Sequence, residues 1–317
     1  MALHESTERG SRPHRPGERA NLHFPTRLAL AVALLSLTVA GIATAQSSPG
    51  AAPVVAANAP PLAPAISPAI SPATSPSATP EKRIYVSPEQ LKAMIADAPA
   101  AARALILKTP VQFLELMAKV LQEPSILIRL VDKQHALPSD YVPPDLVSLN
   151  HHDLTLYKSN LFLRRIALPS LLAMVHASRV AGTDLPIAST YRSYSLQKAI
   201  FEWNVSTYGL KEAERESAHP GTSQHQLGTA IDFGDITDAF AKTAGGRWIA
   251  QHGWEYGFTI SYPQGYEQLT GYMYEPWHYR YIGVPAARMM HDYFDDIQQN
   301  LLVFLHDHAS AFAALLQ

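Results

Sequence analysis

No charged side chain occurs in the 53 residues from Leu28 to Pro80, and this gap divides the chain before any fold is considered. Lys, Arg, Asp and Glu form much of the surface of a globular domain, because they are seldom fully buried. A stretch of this length without them is therefore not expected to be a domain of its own. We expect globular structure to begin near Glu81.

The first part of the uncharged stretch has the layout of an export signal. Residues 28–45, LALAVALLSLTVAGIATA, are apolar, end in small residues and follow a basic segment that contains Arg12, Arg15, Arg19 and Arg27. An apolar run of about 18 residues is also at the lower limit for spanning a bilayer. Residues 1–45 are therefore predicted to be a signal peptide or a membrane anchor through residues 28–45. Both alternatives export the rest of the chain to the periplasm or cell envelope.

The second part, residues 46–80, is rich in Pro, Ala and Ser. It holds nine of the 25 prolines of the chain. Proline at this density interrupts both helices and sheets, so we expect a semi-extended disordered linker.

The overall composition excludes several classes of function. The chain has 25 Lys and Arg against 27 Asp and Glu, and its pI of about 6.7 argues against a nucleic-acid partner. It has no Cys, which excludes disulfides, thiolate nucleophiles and Cys-ligated metals. Any bound metal must be held by His and carboxylates.

The remaining chain predicts an α+β fold. Ser87-Pro88-Glu89-Gln90 and Thr109-Pro110-Val111-Gln112 each resemble a capped helix start, so residues 81–125 are predicted as an N-terminal helical segment. Residues 126–317 mix helical patterns with short strands, without βαβ regularity. Predicted helices cover 168–180, 195–208, 247–256 and 286–316, and predicted strands cover 187–190, 258–262 and 277–282. We expect a small antiparallel sheet that is flanked by helices and carries one metal site.

The candidate chemistry lies in two short segments. Ser223 to Asp232 reads SQHQLGTAID, and Glu275-Pro276-Trp277-His278 follows about 43 residues later. His225, Asp232 and His278 offer nitrogen, oxygen and nitrogen ligands, and three protein ligands with one open position are typical of catalytic zinc. Glu275 remains as a carboxylate that could accept a proton from an attacking water.

The spacing of Glu275 and His278 poses a geometric problem. Residues three apart on a straight strand face opposite sides of a sheet. Pro276 lies between them, so we expect a bend there that allows both side chains to face the metal.

The pattern S-x-H-x-x-G-x-A-x-D followed by E-P-W-H resembles the VanY-type zinc D-alanyl-D-alanine carboxypeptidases and the related D-Ala-D-Ala dipeptidases. The resemblance runs from about residue 126 to about 300. It also includes the segments LVDK at 130–133, LPSDYVP at 137–143, ASTYRSY at 188–194 and GYMYEPWH at 271–278.

The resemblance implies a role for each site residue. His225, Asp232 and His278 would bind Zn²⁺, and Glu275 would act as general base and then as acid. Arg192 would stabilise the oxyanion. The substrate-binding residues that it implies are Ser223 for the terminal carboxylate, Gln197 as a polar group of the pocket, and Tyr191, for which packing around the ligands is the favoured role. The implied substrate is the D-Ala-D-Ala end of a peptidoglycan stem peptide.

Several alternatives remain open from the sequence. The enzyme could be a D,D-endopeptidase that cuts cross-links, or a dipeptidase, because pocket loops decide which substrate fits. A non-catalytic zinc module that binds cell-wall peptides is a further alternative. No H-E-x-x-H occurs. Ser195-Leu196-Gln197-Lys198 matches the S-x-x-K motif of serine penicillin-binding enzymes, but no K-T-G follows it.

Overall fold

The computed structural model describes residues 86–316. The predicted signal or anchor (1–45) and linker (46–80) lie outside this range. Within it, no helix combines the length and apolar character needed to cross a membrane.

The described chain contains ten α-helices and six strands, numbered here in chain order. The helices are α1 (Pro88–Met94), α2 (Ala100–Lys108), α3 (Pro110–Gln122), α4 (Leu168–Val180), α5 (Tyr194–Tyr208), α6 (Leu210–Glu216), α7 (Ala244–His252), α8 (Glu267–Thr270), α9 (Val284–Tyr293) and α10 (Gln298–Leu316). The strands are β1 (Leu146–Ser148), β2 (Phe162–Arg164), β3 (Ile187–Ser189), β4 (Ala230–Phe233), β5 (Phe258–Ile260) and β6 (His278–Tyr281).

The N-terminal helices begin where the proline signals indicated, but only one begins with the expected cap. Ser87 accepts from the Gln90 backbone, and the Gln90 side chain accepts from the Ser87 N–H, which completes a capping box. Thr109 makes no such bond at the start of α3. Its hydroxyl instead contacts the Leu105 carbonyl and the Tyr293 hydroxyl, so the prediction of a second capping box was wrong. The reason is that α2 ends directly before α3, so that Thr109 also terminates a helix.

Helices α1 to α3 share one hydrophobic core with α9 and α10. Phe113 is fully buried at its centre, and its ring meets those of Tyr293, Phe304 and Phe312 edge-on at centroid distances of 5.2 to 6.3 Å. The N-terminal helices α1 to α3 and the C-terminal helices α9 and α10 therefore form one helical layer.

Truncation of Phe113 should destabilise this layer strongly. Phe113→Ala removes a buried ring from three aromatic contacts, and we expect the free energy of unfolding to fall by about 3–5 kcal/mol. Urea denaturation followed by circular dichroism measures the change. Val111→Ala is the matched control, because Val111 lies in the same helix but is 61% exposed, and it should change stability by less than about 0.5 kcal/mol. Equal effects of the two variants would contradict this packing.

The main sheet has four antiparallel strands in the order β3-β4-β6-β5, and β1 and β2 form a separate antiparallel pair. Its core is continuous with α4 and α7, through residues such as Met174, Phe233 and Ile249. Helices around a small antiparallel sheet confirm the predicted α+β class.

Most predicted elements of this part are present, with small differences at their ends. The helix at 168–180 ends as expected before Gly182, which adopts φ 81°. The helix predicted at 247–256 is α7 followed by a separate 3₁₀ turn at Gly253–Tyr256. Six elements were not predicted from the sequence. Four are the short elements β1, β2, α6 and α8. The others are α2, which has no side-chain cap, and β4, which is buried on both faces and shows no alternation.

Candidate active site

Strands β4 and β6 bring two of the predicted ligands face to face. Asp232 pairs with His278 across the antiparallel register. His225 lies on the 3₁₀ turn Gln224–Leu227, which ends at Gly228. Gly228 adopts φ 71°, and a Cβ there would lie 3.0 to 3.2 Å from the side chains of Leu146, Arg164 and Pro143. Glycine at this position therefore allows the turn to pack closely against these side chains, with His225 next to Asp232.

The three side chains form a compact, buried ligand set. His225 Nε2 lies 3.2 Å from Asp232 Oδ2, and His278 Nδ1 lies 3.2 Å from Asp232 Oδ1. One ligand atom from each residue lies within 4.8 Å of the others. Ligands placed about 2.0–2.1 Å from a tetrahedral zinc are separated by about 3.3 Å, so the spacing fits that metal. Although buried, Asp232 Oδ1 has no hydrogen-bond partner among the described residues, as expected of a metal ligand.

The hydrogen bonds of His225 leave its ligand nitrogen free. Its Nδ1 lies 2.7 Å from the Thr190 carbonyl, which can only accept, so Nδ1 carries the proton and Nε2 presents a lone pair. Burial lowers the pKa of His225 to about 4, and the nearby Arg192 contributes in the same direction. The imidazole is therefore neutral at pH 7, as a metal ligand must be. Burial alone would raise the pKa of Asp232, but the two histidines hold it below its usual range.

The lowered pKa of His225 predicts how the metal-free chain responds to acid. Between about pH 4 and the unfolded value of about 6.5, the unfolded chain binds a proton at this residue that the folded chain does not. Stability therefore rises with pH across this window. The free energy of unfolding of wild type minus that of His225→Gln should increase from pH 4 to 6.5. Urea titrations of both proteins in the presence of a metal chelator measure this difference in the free energy of unfolding. A difference that does not change with pH would contradict a buried neutral His225.

Glu275 faces the same point as the three ligands because the chain turns directly after it. The N–H of His278 donates to the Glu275 carbonyl at 3.1 Å, so Pro276 and Trp277 form the predicted bend. Glu275 Oε2 consequently lies 3.5 Å from His278 Nδ1. Burial raises the pKa of Glu275 well above its usual value, and the negative charge of Asp232 adds to this effect. Such a carboxyl group is a stronger base than an exposed one, which suits proton transfer.

Arg192 approaches the site from the loop after β3. Its Nη1 donates to Gln197 Oε1 at 2.9 Å and its Nη2 donates to Ser189 Oγ at 3.2 Å, while Nη2 lies 3.8 Å from Asp232 Oδ2. These contacts hold the guanidinium beside the ligand set. Burial lowers the pKa of Arg192, and the carboxylates of Asp232 and Glu275 oppose that shift.

The other predicted substrate-binding residues occupy different positions. Ser223 lines the cleft and is 4% exposed. Gln197 does not line it, because its side chain lies behind Arg192 and donates to the Ala218 carbonyl at 2.6 Å. Tyr191 is half-buried, also outside the cleft wall, and its N–H donates to the Phe162 carbonyl. Substrate contact by these three residues remains a prediction.

Part of the cleft wall was not predicted from the sequence. Tyr262 lies against His278 with a centroid distance of 4.9 Å, and Tyr272 lies against Tyr262 at 4.8 Å. Glu216 and Ile236 also line the cleft. Only Tyr272 belonged to a recognised segment, and the other three come from elements that carry no motif.

A buried His/Asp/His set on a small antiparallel sheet, beside a carboxyl group of raised pKa, is the arrangement of a zinc peptidase. Known proteins are similar to this chain in the same region. The VanY family model, described as D-alanyl-D-alanine carboxypeptidase, matches residues 160–284. YodJ of Bacillus subtilis (strain 168), a carboxypeptidase by its name, is 39% identical over 181 residues, which are 55% of this chain and 66% of YodJ. VanXYC of Enterococcus gallinarum, a bifunctional D-Ala-D-Ala dipeptidase and carboxypeptidase, is 29% identical over 56% of this chain and 98% of its own.

A solved structure extends the comparison. The LD-carboxypeptidase LdcB shares 37% sequence identity and a TM-score of 0.50 with this chain, over 56% of this chain and 89% of that one. The chain belongs to the VanY-type D-alanyl-D-alanine carboxypeptidase family, which confirms the predicted family. It spans about two thirds of the length of YodJ and 52% of the length of a D-alanyl-D-alanine carboxypeptidase of Enterococcus faecium.

Proposed function

We propose that this protein is a zinc-dependent D,D-carboxypeptidase that removes the terminal D-alanine from peptidoglycan stem peptides ending in D-Ala-D-Ala. The observation that carries the proposal is the convergence of Glu275 and three buried ligands on one point of an open cleft. The related VanXYC acts as a D-Ala-D-Ala dipeptidase and carboxypeptidase, which supports the substrate class.

His225, Asp232 and His278 would hold the zinc. Two neutral imidazoles and one carboxylate are ligands that zinc accepts, and three protein ligands leave a position open. When bound, Zn²⁺ polarises the scissile carbonyl and lowers the pKa of water. The net charge of the metal and its ligands is then +1, which also stabilises the ionised form of Glu275.

Glu275 is the proton carrier of the proposed reaction. It removes a proton from the attacking water and afterwards delivers it to the nitrogen of the departing D-alanine. Its distance of 3.5 Å from a nitrogen of the proposed ligand His278 supports a role beside the attacking water. Burial raises the pKa of Glu275 in the metal-free site, and a bound metal would favour the ionised form that accepts the proton.

Arg192 would stabilise the negative charge that develops on the carbonyl oxygen. Its guanidinium is fixed by Gln197 and Ser189 before substrate arrives, so little reorganisation is needed in the transition state. Ser223 lies on the cleft wall, where its hydroxyl can donate to the terminal carboxylate.

The location of the enzyme follows from its substrate and its N-terminal sequence. The stem peptides of assembled peptidoglycan lie outside the cytoplasm, and the family is described as D-alanyl-D-alanine carboxypeptidase, so we propose that the protein acts in the cell envelope. Residues 1–45 would direct export or anchor the chain through 28–45, and residues 46–80 would form a spacer. Residues 81–125 would be a helical segment that precedes a peptidase domain at 126–317.

A second candidate is L,D-carboxypeptidase activity on tetrapeptide stems. LdcB is an LD-carboxypeptidase and shares 37% identity with this chain, more than VanXYC does. Both activities remove a C-terminal D-alanine. They differ in the residue on the acyl side of the bond.

Digestion of purified peptidoglycan and of synthetic stem peptides, with mass analysis of products, tests these proposals together. We expect the pentapeptide to lose a single alanine. Loss from the tetrapeptide instead would assign the L,D activity, and loss of cross-links would assign an endopeptidase. Hydrolysis of free D-Ala-D-Ala, supplied in a parallel assay, would assign a dipeptidase. Peptide binding without any product would mean a non-catalytic module.

A further inference from the structure

His278 is supported from behind by a buried glutamine. Its Nε2 lies 3.4 Å from Gln224 Oε1, on the side of the ring opposite to the ligand nitrogen Nδ1. Gln224 is 2% exposed and directly precedes His225 in the chain. One turn therefore supplies both a ligand and a polar partner for the other imidazole.

The hydrogen bonds continue from Gln224 to the C-terminal helix. Gln224 Nε2 donates to Gln298 Oε1 at 3.2 Å, and Gln298 Nε2 donates to Thr259 Oγ1 at 2.7 Å and to the Thr259 carbonyl at 3.2 Å. The Ser261 hydroxyl donates to Gln224 Oε1 at 2.7 Å. All four residues are at most 2% exposed. Gln298 begins α10, beyond the residues 160–284 that match the family model.

Thr259 fixes the donor and acceptor directions of these hydrogen bonds. The Thr259 carbonyl can only accept, so the Gln298 amide must turn its NH₂ towards Thr259 and its oxygen towards Gln224. The Gln224 amide must then turn its NH₂ towards Gln298 and its oxygen towards His278. An oxygen acceptor at this place requires a proton on Nε2 of His278. Its Nδ1 is left with a lone pair that faces Asp232.

Burial of two glutamine side chains destabilises the fold unless all their polar atoms form hydrogen bonds. Glutamine is mostly exposed in proteins, and a buried amide without partners destabilises the fold. Here the amide oxygens and nitrogens of Gln224 and Gln298 all have partners, so the hydrogen-bond network specifies one orientation of each amide.

We propose that Gln224 and Gln298 are positioning residues that hold His278 as its Nε2–H tautomer, so that helix α10 is part of the metal site. The zinc in this inference rests on the proposed function. Partners of this kind orient a ligating imidazole and raise its basicity, and their loss typically weakens metal affinity about 10–100-fold.

Paired methionine variants test the inference, because methionine has nearly the shape of glutamine without its amide. In the full chain, Gln298→Met should weaken zinc affinity about 10-fold, and Gln224→Met at least as much. Zinc affinity is measured by competition with a chelator. The visible absorption spectrum of the cobalt-loaded chain reports ligand geometry independently of activity, and we expect both variants to alter it.

Gln299→Met is the matched control. Gln299 is the next residue of the same helix, is also buried, and bonds to Asp132 Oδ2 at 2.8 Å, away from the site. We expect its zinc affinity and cobalt spectrum to match the wild type. If Gln298→Met does not fold, Gln224→Met carries the same comparison.

Equal zinc affinities and spectra for the Gln298 and Gln299 variants would overturn the inference. A wild-type chain that binds zinc but releases no D-alanine would instead defeat the proposed function. The comparison of variants would still decide the role of Gln298 in that case, because neither readout requires turnover.

Discussion

Glu275→Gln should lower the rate of D-alanine release by a factor on the order of 10²–10⁴, the usual contribution of a general acid–base. The amide keeps the size of the carboxylate but cannot accept a proton from water. Zinc content should stay at the wild-type level, since Glu275 is not among the three ligands. The rate is measured by coupled detection of D-alanine from a stem pentapeptide, and zinc by elemental analysis of the same sample.

Glu267→Gln is the control for this prediction. Glu267 is a half-buried carboxylate that pairs with Arg215 at 2.6 Å and does not line the cleft. Its variant should keep the wild-type rate. A Glu275→Gln protein with full activity would remove Glu275 from the mechanism and would require another base.

Asp232→Asn should remove both metal binding and activity. The substitution replaces an anionic ligand with a neutral amide at the centre of the site, between His225 and His278. We expect zinc affinity to fall by more than about 100-fold, beyond the losses seen when only a partner of a ligand is changed. Activity should fall in parallel and return in part when excess zinc is supplied.

Asp235→Asn serves as the comparison, because Asp235 lies three residues further on and is exposed. Zinc affinity and activity should both be unchanged in this variant. If Asp232→Asn retained stoichiometric zinc at low micromolar metal, the assignment of the ligand set would be wrong.

The two segments that hold the ligands could be identified from sequence because each is local. His225 and Asp232 are seven residues apart, and Glu275 and His278 are three apart, so their side-chain types and spacing are visible in short motifs. The bend at Pro276 could be expected for the same reason, since a straight strand would separate the two side chains. The α+β class followed from mixed helical and strand patterns of ordinary length.

Contacts between distant parts of the chain could not be predicted in this way. The bond between Gln224 and Gln298 joins residues 74 positions apart, and Thr109 meets Tyr293 across 184 positions. Neither pair has a local pattern that distinguishes it from surface polar residues. Gln197 shows the same limit, because its helical position does not reveal that it lies behind Arg192.

Strand β4 was missed for a different reason. Its four residues are all buried, so polar and apolar positions do not alternate, and its Asp232 is a residue type that is rare in strands. The proposed role of Asp232 as a metal ligand would account for an acidic residue in this strand. A departure from the local rules thus coincides with a candidate functional residue.

In the proposed function, a zinc ion bound by this chain is required to release one D-alanine from a D-Ala-D-Ala stem peptide. The most direct measurement is the amount of D-alanine released from a stem pentapeptide by the purified full chain, before and after metal removal by a chelator and after zinc is restored. We predict one equivalent of D-alanine per peptide, no release by the metal-free chain, and recovery with zinc. Release that is unaffected by complete removal of the metal would rule out a zinc-dependent mechanism, and no release from the pentapeptide with zinc bound would rule out a D,D-carboxypeptidase.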